Sequence, residues 1–368
     1  MRNDRFKIAM FGHKRIPSRD GGIEVVVGEL SSRMAALGHD VICYNRGGAS
    51  VKQASYQAVR LKTVPTIDKK GLAAVTSSFF AALAVAFSNA DVCHIHAEGP
   101  AFMSFLPKLF GKRVIVTVHG LDWQREKWKS GFGAKYIRWG EKMAVRFADE
   151  IIVLSRNVQE YFLREYGRTT HFIPNGVTKP EKYKPDQITG RFGLRGDDYL
   201  LFLGRLVPEK GIHHLIDAFI NTRTDKRLVI VGGASDTDDY VENLKKQAAG
   251  DSRILFTGFV QGKLLEELYS NAYLYVLPSD LEGMPLSLLE AMSYDNCCVI
   301  SDIPECTEVA EDHGISFPKS NVQALQNTLQ TLCDEPQTVE KYRNSVSDFI
   351  CGKYSWDDVT QRTLELYQ

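Results

Sequence analysis

Short apolar runs alternate with longer stretches of helical periodicity along the whole chain. Residues 7–11, 41–45, 92–96, 114–118 and 150–154 are compact runs of Val, Ile, Met, Phe and Cys, the pattern of strands buried on both faces. Between them, 24–37, 71–90 and 135–147 carry helical spacing, and Gly38 is placed to end the first of these helices. The second half repeats the alternation. Strands are predicted at 200–203, 228–231, 254–257, 273–277 and 298–301, with helices at 211–221, 238–249, 262–271 and 284–294. Repeated β-α-β units predict α/β architecture with two doubly wound parallel sheets. Residues 167–196 carry Pro174, Pro180 and Pro185, many Lys and no apolar stripe, so they are expected to connect the domains. The last segment, about 355–368, is amphipathic and is expected to pack back on the first domain. The boundaries are therefore 1–172, with that terminal helix, and 173–354.

One segment raises a membrane question. Residues 71–90 form a twenty-residue stretch without charge, about the length of a spanning helix. The stretch is rich in Ala and Ser and runs directly into a strand pattern, so a buried helix of a β-α-β unit is expected instead. The N-terminus enters a strand without a signal-peptide pattern.

Composition agrees with a soluble globular protein: 368 residues, 44% hydrophobic and 24% charged. The net charge is zero but polarised along the chain. Residues 1–176 hold 26 Lys and Arg against 15 Asp and Glu; residues 177–368 hold 19 against 30. A basic half suggests an anionic partner; the alternative is that the two halves attract each other. The seven Cys include no C-x-x-C pair and most lie in apolar runs, as expected of reduced thiols in the cytoplasm.

Two segments carry the chemistry. Gly204-Arg205-Leu206-Val207-Pro208-Glu209-Lys210-Gly211 sets two cations in a Gly-bounded loop straight after a strand. Such a loop suits a diphosphate, whereas an internal ion pair with Glu209 is the structural alternative. Glu282-Gly283-Met284-Pro285-Leu286 then opens a Leu-rich helix, and Glu290 follows eight residues after Glu282. Helix-start amides can hold phosphate and carboxylates can hold sugar hydroxyls, so the pair predicts a nucleotide-sugar site in the cleft between the domains. The apolar neighbours of Glu290 argue against a merely solvated helix face. No G-x-G-x-x-G follows the first strand, which argues against a nicotinamide dehydrogenase.

With Gly21-Gly22, Val118-His119-Gly120, Pro174-Asn175-Gly176-Val177 and Val231-Gly232-Gly233 in order, the chain resembles the family 4 retaining glycosyltransferases of the GT-B fold. Its look is that of bacterial members working on exopolysaccharide, capsule or envelope glycans. The resemblance implies two Rossmann-like domains facing across a cleft. It implies that Arg205 and Lys210 neutralise the leaving diphosphate, that Glu282 holds donor-sugar hydroxyls, and that Glu290 holds the ribose. It places His119 beside the transferred sugar. Gly22, Gly204, Gly283, Met284, Pro285 and Leu286 complete the donor side; Gly21, Glu24, His96, Glu98 and Asp122 are candidates for the acceptor side, and His94 could line it. His13, His213 and His214 carry no specific signal. No nucleophile for a double displacement is evident.

Cofactor and metal are expected to be absent. Asp236-Thr237-Asp238-Asp239 resembles an acidic Mg²⁺ motif, but a solvated loop capping a helix explains it better. Expected partners are a nucleoside diphosphate sugar and a glycan or lipid-linked acceptor, and nucleic acid is not expected. Residues 124–146 interleave seven cations with Trp128, Phe132, Tyr136 and Trp139, and Pro107 to Arg113 adds more basic residues. The 107–146 region is therefore a candidate for an anionic membrane surface, with the protein cytoplasmic and peripheral to the inner leaflet. A packed surface helix with snorkelling Lys is the alternative. Two rival functions remain at this level: a sugar-nucleotide epimerase of the same shape, and a non-catalytic nucleotide-sugar-binding subunit.

Overall fold

The computed structural model describes residues 5–48, 53–69, 71–125, 132–234 and 237–368. The chain forms two compact units, Met1–Asn175 with Trp356–Gln368, and Gly176–Ser355.

The first unit is built on eight strands: β1 Lys7–Phe11, β2 Asp40–Arg46, β3 Ser55–Tyr56, β4 Val59–Val64, β5 Val92–His96, β6 Arg113–Val118, β7 Glu150–Val153 and β8 His171–Phe172. Their order is β3-β4-β2-β1-β5-β6-β7-β8, parallel except for the β3–β4 hairpin. The β3–β4 hairpin escapes sequence reading for a local reason. Its turn uses Gln57 and Ala58, both at positive φ, without the Gly or Asn that usually announces such a turn. The central strands are almost wholly buried because helices cover both faces.

Residues 71–90 resolve into the helix Leu72–Ala86. At 1.5 Å per residue its fifteen residues span about 22 Å, short of a hydrocarbon core. Its buried side, Ser77, Ser78, Ala81, Ala82, Val85 and Ala86, is small-residue packing against the sheet. Among the described residues no helix is long and apolar enough to cross a membrane.

The second unit holds β9 Tyr199–Leu203, β10 Arg227–Val231, β11 Ile254–Gly258, β12 Leu274–Leu277, β13 Cys298–Ser301 and β14 Gly314–Phe317, in the order β11-β10-β9-β12-β13-β14, all parallel. The edge strand β14 is four residues long and only partly buried, too short for a sequence signal.

The stretch 167–196 is not a simple connector. Its first part forms β8 in the first unit and its second part forms the helix Gln187–Phe192 in the second. Glu267, fully buried, accepts the backbone N–H groups of Asp186 and Ile188 at the start of that helix. The terminal helix Trp356–Glu365 belongs to the first unit. It is tied there by Tyr367 Oη to His94 Nδ1 (2.6 Å), by the Arg113 guanidinium to the Leu366 carbonyl (2.8 Å), and by Arg33 to Asp357.

Candidate active site

In each sheet the strand order reverses once, between β1 and β5 in the first unit and between β9 and β12 in the second. Loops leaving the carboxyl ends of strands at such a reversal splay apart and leave a crevice. The two chemical segments of the second half leave that position. Gly204–Gly211 follows β9, and Ser279–Leu286 follows β12.

The β9 loop is held by short-range bonds. Gly204 N–H donates to the Val231 carbonyl (3.0 Å), Leu206 N–H to the Gly233 carbonyl (3.0 Å), and Thr237 Oγ1 to the Leu206 carbonyl (2.7 Å). A single turn, Pro208–Lys210, then presents Lys210, whose side chain is 11% exposed. Its ammonium does not pair within the loop. It meets Glu282 Oε1 at 2.5 Å, and Ser279 Oγ donates to the same oxygen at 2.6 Å. Ser279 is fixed in turn by Ser301 Oγ on its carbonyl. Two charges this poorly hydrated are tolerable only because each partners the other. Arg205 is half-buried on the same loop.

Past Glu282, the buried residues Gly283, Met284 and Pro285 lead into the helix Leu286–Ser293. Glu290, on its partly exposed side, accepts from Tyr269 Oη at 3.1 Å. Tyr275 Oη donates to Ser287 Oγ at 2.8 Å, so two buried tyrosines brace the first turns of this helix. Ser279, Tyr269 and Tyr275 went unnoticed in the sequence. The position of Ser279 two residues past a strand end is the signal that could have found it.

The first unit gathers another group at its own reversal point. Gly12 follows β1 with φ +112°, and a Cβ there would stand 2.1 Å from the His96 carbonyl oxygen. Only glycine fits that close approach. It turns the chain so that His13, buried, meets Asn45 Oδ1 at 2.9 Å. Gly21 and Gly22 start the helix Gly22–Ala36. Glu24, also buried, accepts the Lys14 N–H (2.8 Å) and so closes the loop from β1 onto this helix.

His94 and His96, two residues apart on β5, lie on the same face with rings stacked at 4.2 Å. His94 Nε2 meets Thr117 Oγ1 (2.7 Å), and His96 Nδ1 meets His119 Nε2 (3.1 Å) at the end of β6. Burial pushes all four imidazoles down: His13 and His119 to about 4, His94 to about 3, and His96 well below its ordinary value. They are neutral at pH 7. Nδ1 of His13 and Nε2 of His96 are buried without a hydrogen-bond partner in the structure.

Two acceptor-side candidates take a different place from the one expected. His96 has no accessible surface, and neither has Glu98. Glu98 lies beneath the loop that carries Asp122 and accepts the Asp122 N–H at 2.8 Å. Asp122, half-buried, pairs with Arg125 at 2.7 Å. Among the described residues no group of three or more His, Cys, Asp or Glu could hold a metal ion. Asp238 and Asp239 open the helix Asp238–Ala248, while Asp236 lies outside the described residues.

The comparisons with known proteins fall on the same two halves. The model of glycosyltransferase family 4 matches residues 20–179, and the model of glycosyl transferases group 1 matches residues 188–348. Alpha-maltose-1-phosphate synthase of Mycobacterium tuberculosis is 27% identical over 98% of this chain and 99% of its own length. Alpha-D-kanosaminyltransferase of Streptomyces kanamyceticus is 22% identical over 75% of this chain and 76% of its own. Among solved structures, sucrose-phosphate synthase from Thermosynechococcus elongatus superposes with a TM-score of 0.85 at 22% identity, covering 99% of this chain and 98% of that one. Anabaena HepE, solved with UDP and glucose, gives 0.83 at 18% identity over 98% and 99%. Two family models matched in sequence order, on two parallel-sheet units whose chemical loops leave the strand reversals, settle the matter: the chain belongs to the family 4 glycosyltransferases of the GT-B fold and acts on a sugar donor.

Proposed function

We propose that this enzyme transfers a hexose-type unit, with retention, from a nucleoside diphosphate sugar to a glycan or lipid-linked acceptor in polysaccharide or envelope synthesis. The observation that carries this reading is the convergence of a cationic loop and a carboxylate loop at the β9/β12 reversal, joined by the Lys210–Glu282 contact. Charge builds on the diphosphate as the glycosidic bond breaks. Arg205, and Lys210 once its ammonium turns from Glu282, would stabilise it. The dipole and amides at the start of Leu286–Ser293, led by Gly283, Met284 and Pro285, suit the same anion, although eight residues make a short helix. Gly204 would leave room for the phosphates, and Gly22, at the start of Gly22–Ala36, stays a donor-side candidate of the first unit.

Glu282 would take donor-sugar hydroxyls when the Lys210 ammonium turns to phosphate. Glu290, braced by Tyr269, would accept both hydroxyls of the ribose diol. His119, neutral at working pH, can donate one N–H to a sugar hydroxyl. Gly21, Glu24 and Asp122 remain on the acceptor side of the reading. The solved relatives named with UDP and UDP-glucose support a nucleotide-sugar donor.

Calorimetric titration with UDP, GDP, ADP and dTDP in EDTA tests the donor reading. One nucleotide is expected to bind at micromolar Kd, and Glu290→Ala to abolish it. Binding of none, with and without Mg²⁺, would refute the donor site. Metal independence is part of the proposal; transfer that EDTA abolishes and Mg²⁺ restores would overturn it.

A cytoplasmic, membrane-peripheral location is also proposed. An apolar patch supports it: Phe80 on the helix Leu72–Ala86 and Phe87 just past its end are exposed, and Phe87 packs against the exposed Phe110 at 4.7 Å. Leu109 beside it is 72% exposed, with Lys108 and Lys112 adjoining. Apolar side chains ringed by cations suit an anionic lipid surface. Trp139 is likewise exposed, whereas Trp128 lies outside the described residues. Flotation on liposomes should rise with anionic lipid and fall with Phe87→Ser; indifference to lipid charge would count against it.

A further inference from the structure

Two carboxyl groups of the first unit, Glu98 and Glu141, are fully buried, bear on each other electrostatically, and hold successive residues of one loop, Asp122 and Trp123. The approach is enforced by the backbone. A Cβ at Gly140 would stand 1.9 Å from the Glu98 carbonyl oxygen, so the helix Phe132–Phe147 meets residue 98 at van der Waals limit. Two ionised carboxylates this close in a dry interior would repel strongly, which favours keeping a proton on one of them.

The surroundings say which group holds it. Glu141 is furnished as an anion. Its Oε1 accepts from Trp123 Nε1 at 2.8 Å, and its Oε2 accepts from Tyr166 Oη at 2.6 Å and Tyr161 Oη at 3.1 Å. Arg138, stacked over Trp123, adds a cation on that side. Among the described residues Glu98 has one donor, the Asp122 N–H on Oε2, and its Oε1 is buried without an N–H or O–H donor. The charges that bear on Glu98 are the carboxylates of Asp122 and Glu141. Other titratable groups on the packed elements are Tyr136 of the same helix as Glu141, whose hydroxyl is itself without a partner, Arg125 paired to Asp122, and the neutral His96 and His119 on the strand ends. Burial and these anions both push Glu98 well above the usual carboxyl range.

We propose that Glu98 is a protonated carboxylic acid that donates its hydrogen to Glu141, and that this acid–carboxylate pair is the positioning element for the loop carrying His119 and Asp122. The loop is pinned to the pair at two successive residues. Asp122 N–H is held by Glu98, and the next residue, Trp123, is held by Glu141. Gly120, at φ +139°, turns the chain between His119 and this anchor. Loss of the proton would leave two adjacent anions with no cation between them. The floor of the loop would open, and His119 would move from its place at the end of β6. The consequence for catalysis rests on the role proposed above for His119; the shared proton does not.

Two variants and two readouts test it. In Glu98→Gln the amide nitrogen donates permanently to Glu141 while its oxygen accepts from Asp122 N–H. In Glu98→Ala both bonds are lost. The infrared difference spectrum of wild type minus Glu98→Gln at neutral pH should contain the carbonyl band of a protonated carboxylic acid. Its absence overturns the proposal. Amide hydrogen exchange over 119–125 should stay slow in Glu98→Gln and become fast in Glu98→Ala. Transfer should fall by ~10²-fold in the Ala variant, as for a reacting group displaced by about 1 Å, and be largely restored by Gln. Equal damage from Gln and Ala would show that a charged Glu98 is needed, and would also overturn it. If Glu98→Ala does not fold, the infrared band and the Gln variant still decide. If His119→Ala leaves transfer unchanged while the band and the exchange pattern appear, the catalytic reading of His119 fails and the proton-sharing pair stands.

Discussion

Lys210 and Glu282 stand 72 residues apart in sequence and 2.5 Å apart in space, and their environment makes them unequal to ordinary loop charges. With side chains 11% and 8% exposed, removing either one strands the other in a dry site, at a cost of roughly 3–5 kcal/mol. A fall in activity in Lys210→Ala or Glu282→Ala therefore mixes folding and chemistry. The double variant Lys210→Met with Glu282→Leu separates them. It is expected to melt closer to wild type than either single alanine variant and still to lose at least ~10²-fold in turnover, the scale of one lost electrostatic stabiliser. A double variant with wild-type turnover would refute the site. Ser279→Ala removes one of the bonds on Glu282 Oε1, and a milder effect, about fivefold in kcat/KM, is expected from a loss of ~1 kcal/mol.

At the scale of elements, two joints hold the first unit in working shape. The β1 turn depends on Gly12, and Gly12→Ala should lower Tm sharply because its Cβ would collide with strand β5 at a positive φ. Gly21→Ala should be milder, since Gly21 has an ordinary extended backbone and the added carbon meets the Glu24 carboxylate and not backbone. The second joint is the terminal helix. Tyr367 Oη is the partner of His94 Nδ1 in the core, so Tyr367→Phe leaves a buried nitrogen unsatisfied. A loss of about 1–3 kcal/mol by urea titration is expected; an unchanged midpoint would mean that the ring alone does the holding. Part of this anchoring is legible in sequence, because the amphipathic pattern announces a helix that needs a face to cover. The partner is not, since His94 lies 273 residues away and a strand pattern does not say which helix lies over it.

For the molecule as a whole, the buried histidines set the acid limit. Their folded values lie below the unfolded value near 6.5, so the unfolded chain binds more protons in acid. Stability from these groups is complete above about pH 6.5 and is lost as pH falls through the window towards 4 and 3. Tm should accordingly drop between pH 6.5 and 4.5, and His94→Gln should flatten that slope; a slope unaltered by the substitution would assign acid sensitivity elsewhere. The charge split between the halves, visible from composition, predicts a different dependence: any lipid attraction of the basic half should weaken with salt, because exposed charges are screened within about 10 Å at 0.1 M.

The sequence by itself determined the buried central strands and the helices between them, because burial on both faces of a parallel sheet writes unbroken apolar runs and helices write their own period, whereas the β3–β4 hairpin and the edge strand β14 left no such mark. It also determined the family and the two chemical loops, since Gly-bounded cations and a carboxylate before a helix keep their meaning in one dimension. Strand order was beyond it. The reversals at β1/β5 and β9/β12 arise from crossovers whose direction no local pattern encodes, and they decide which loops meet. Tertiary structure alone paired Lys210 with Glu282 instead of its neighbour Glu209, stacked His94 on His96, and buried Glu98 against Glu141. Each of these depends on desolvation and on distances of a few ångströms between residues far apart in the chain, and a charge reads the same in sequence whether water reaches it or not.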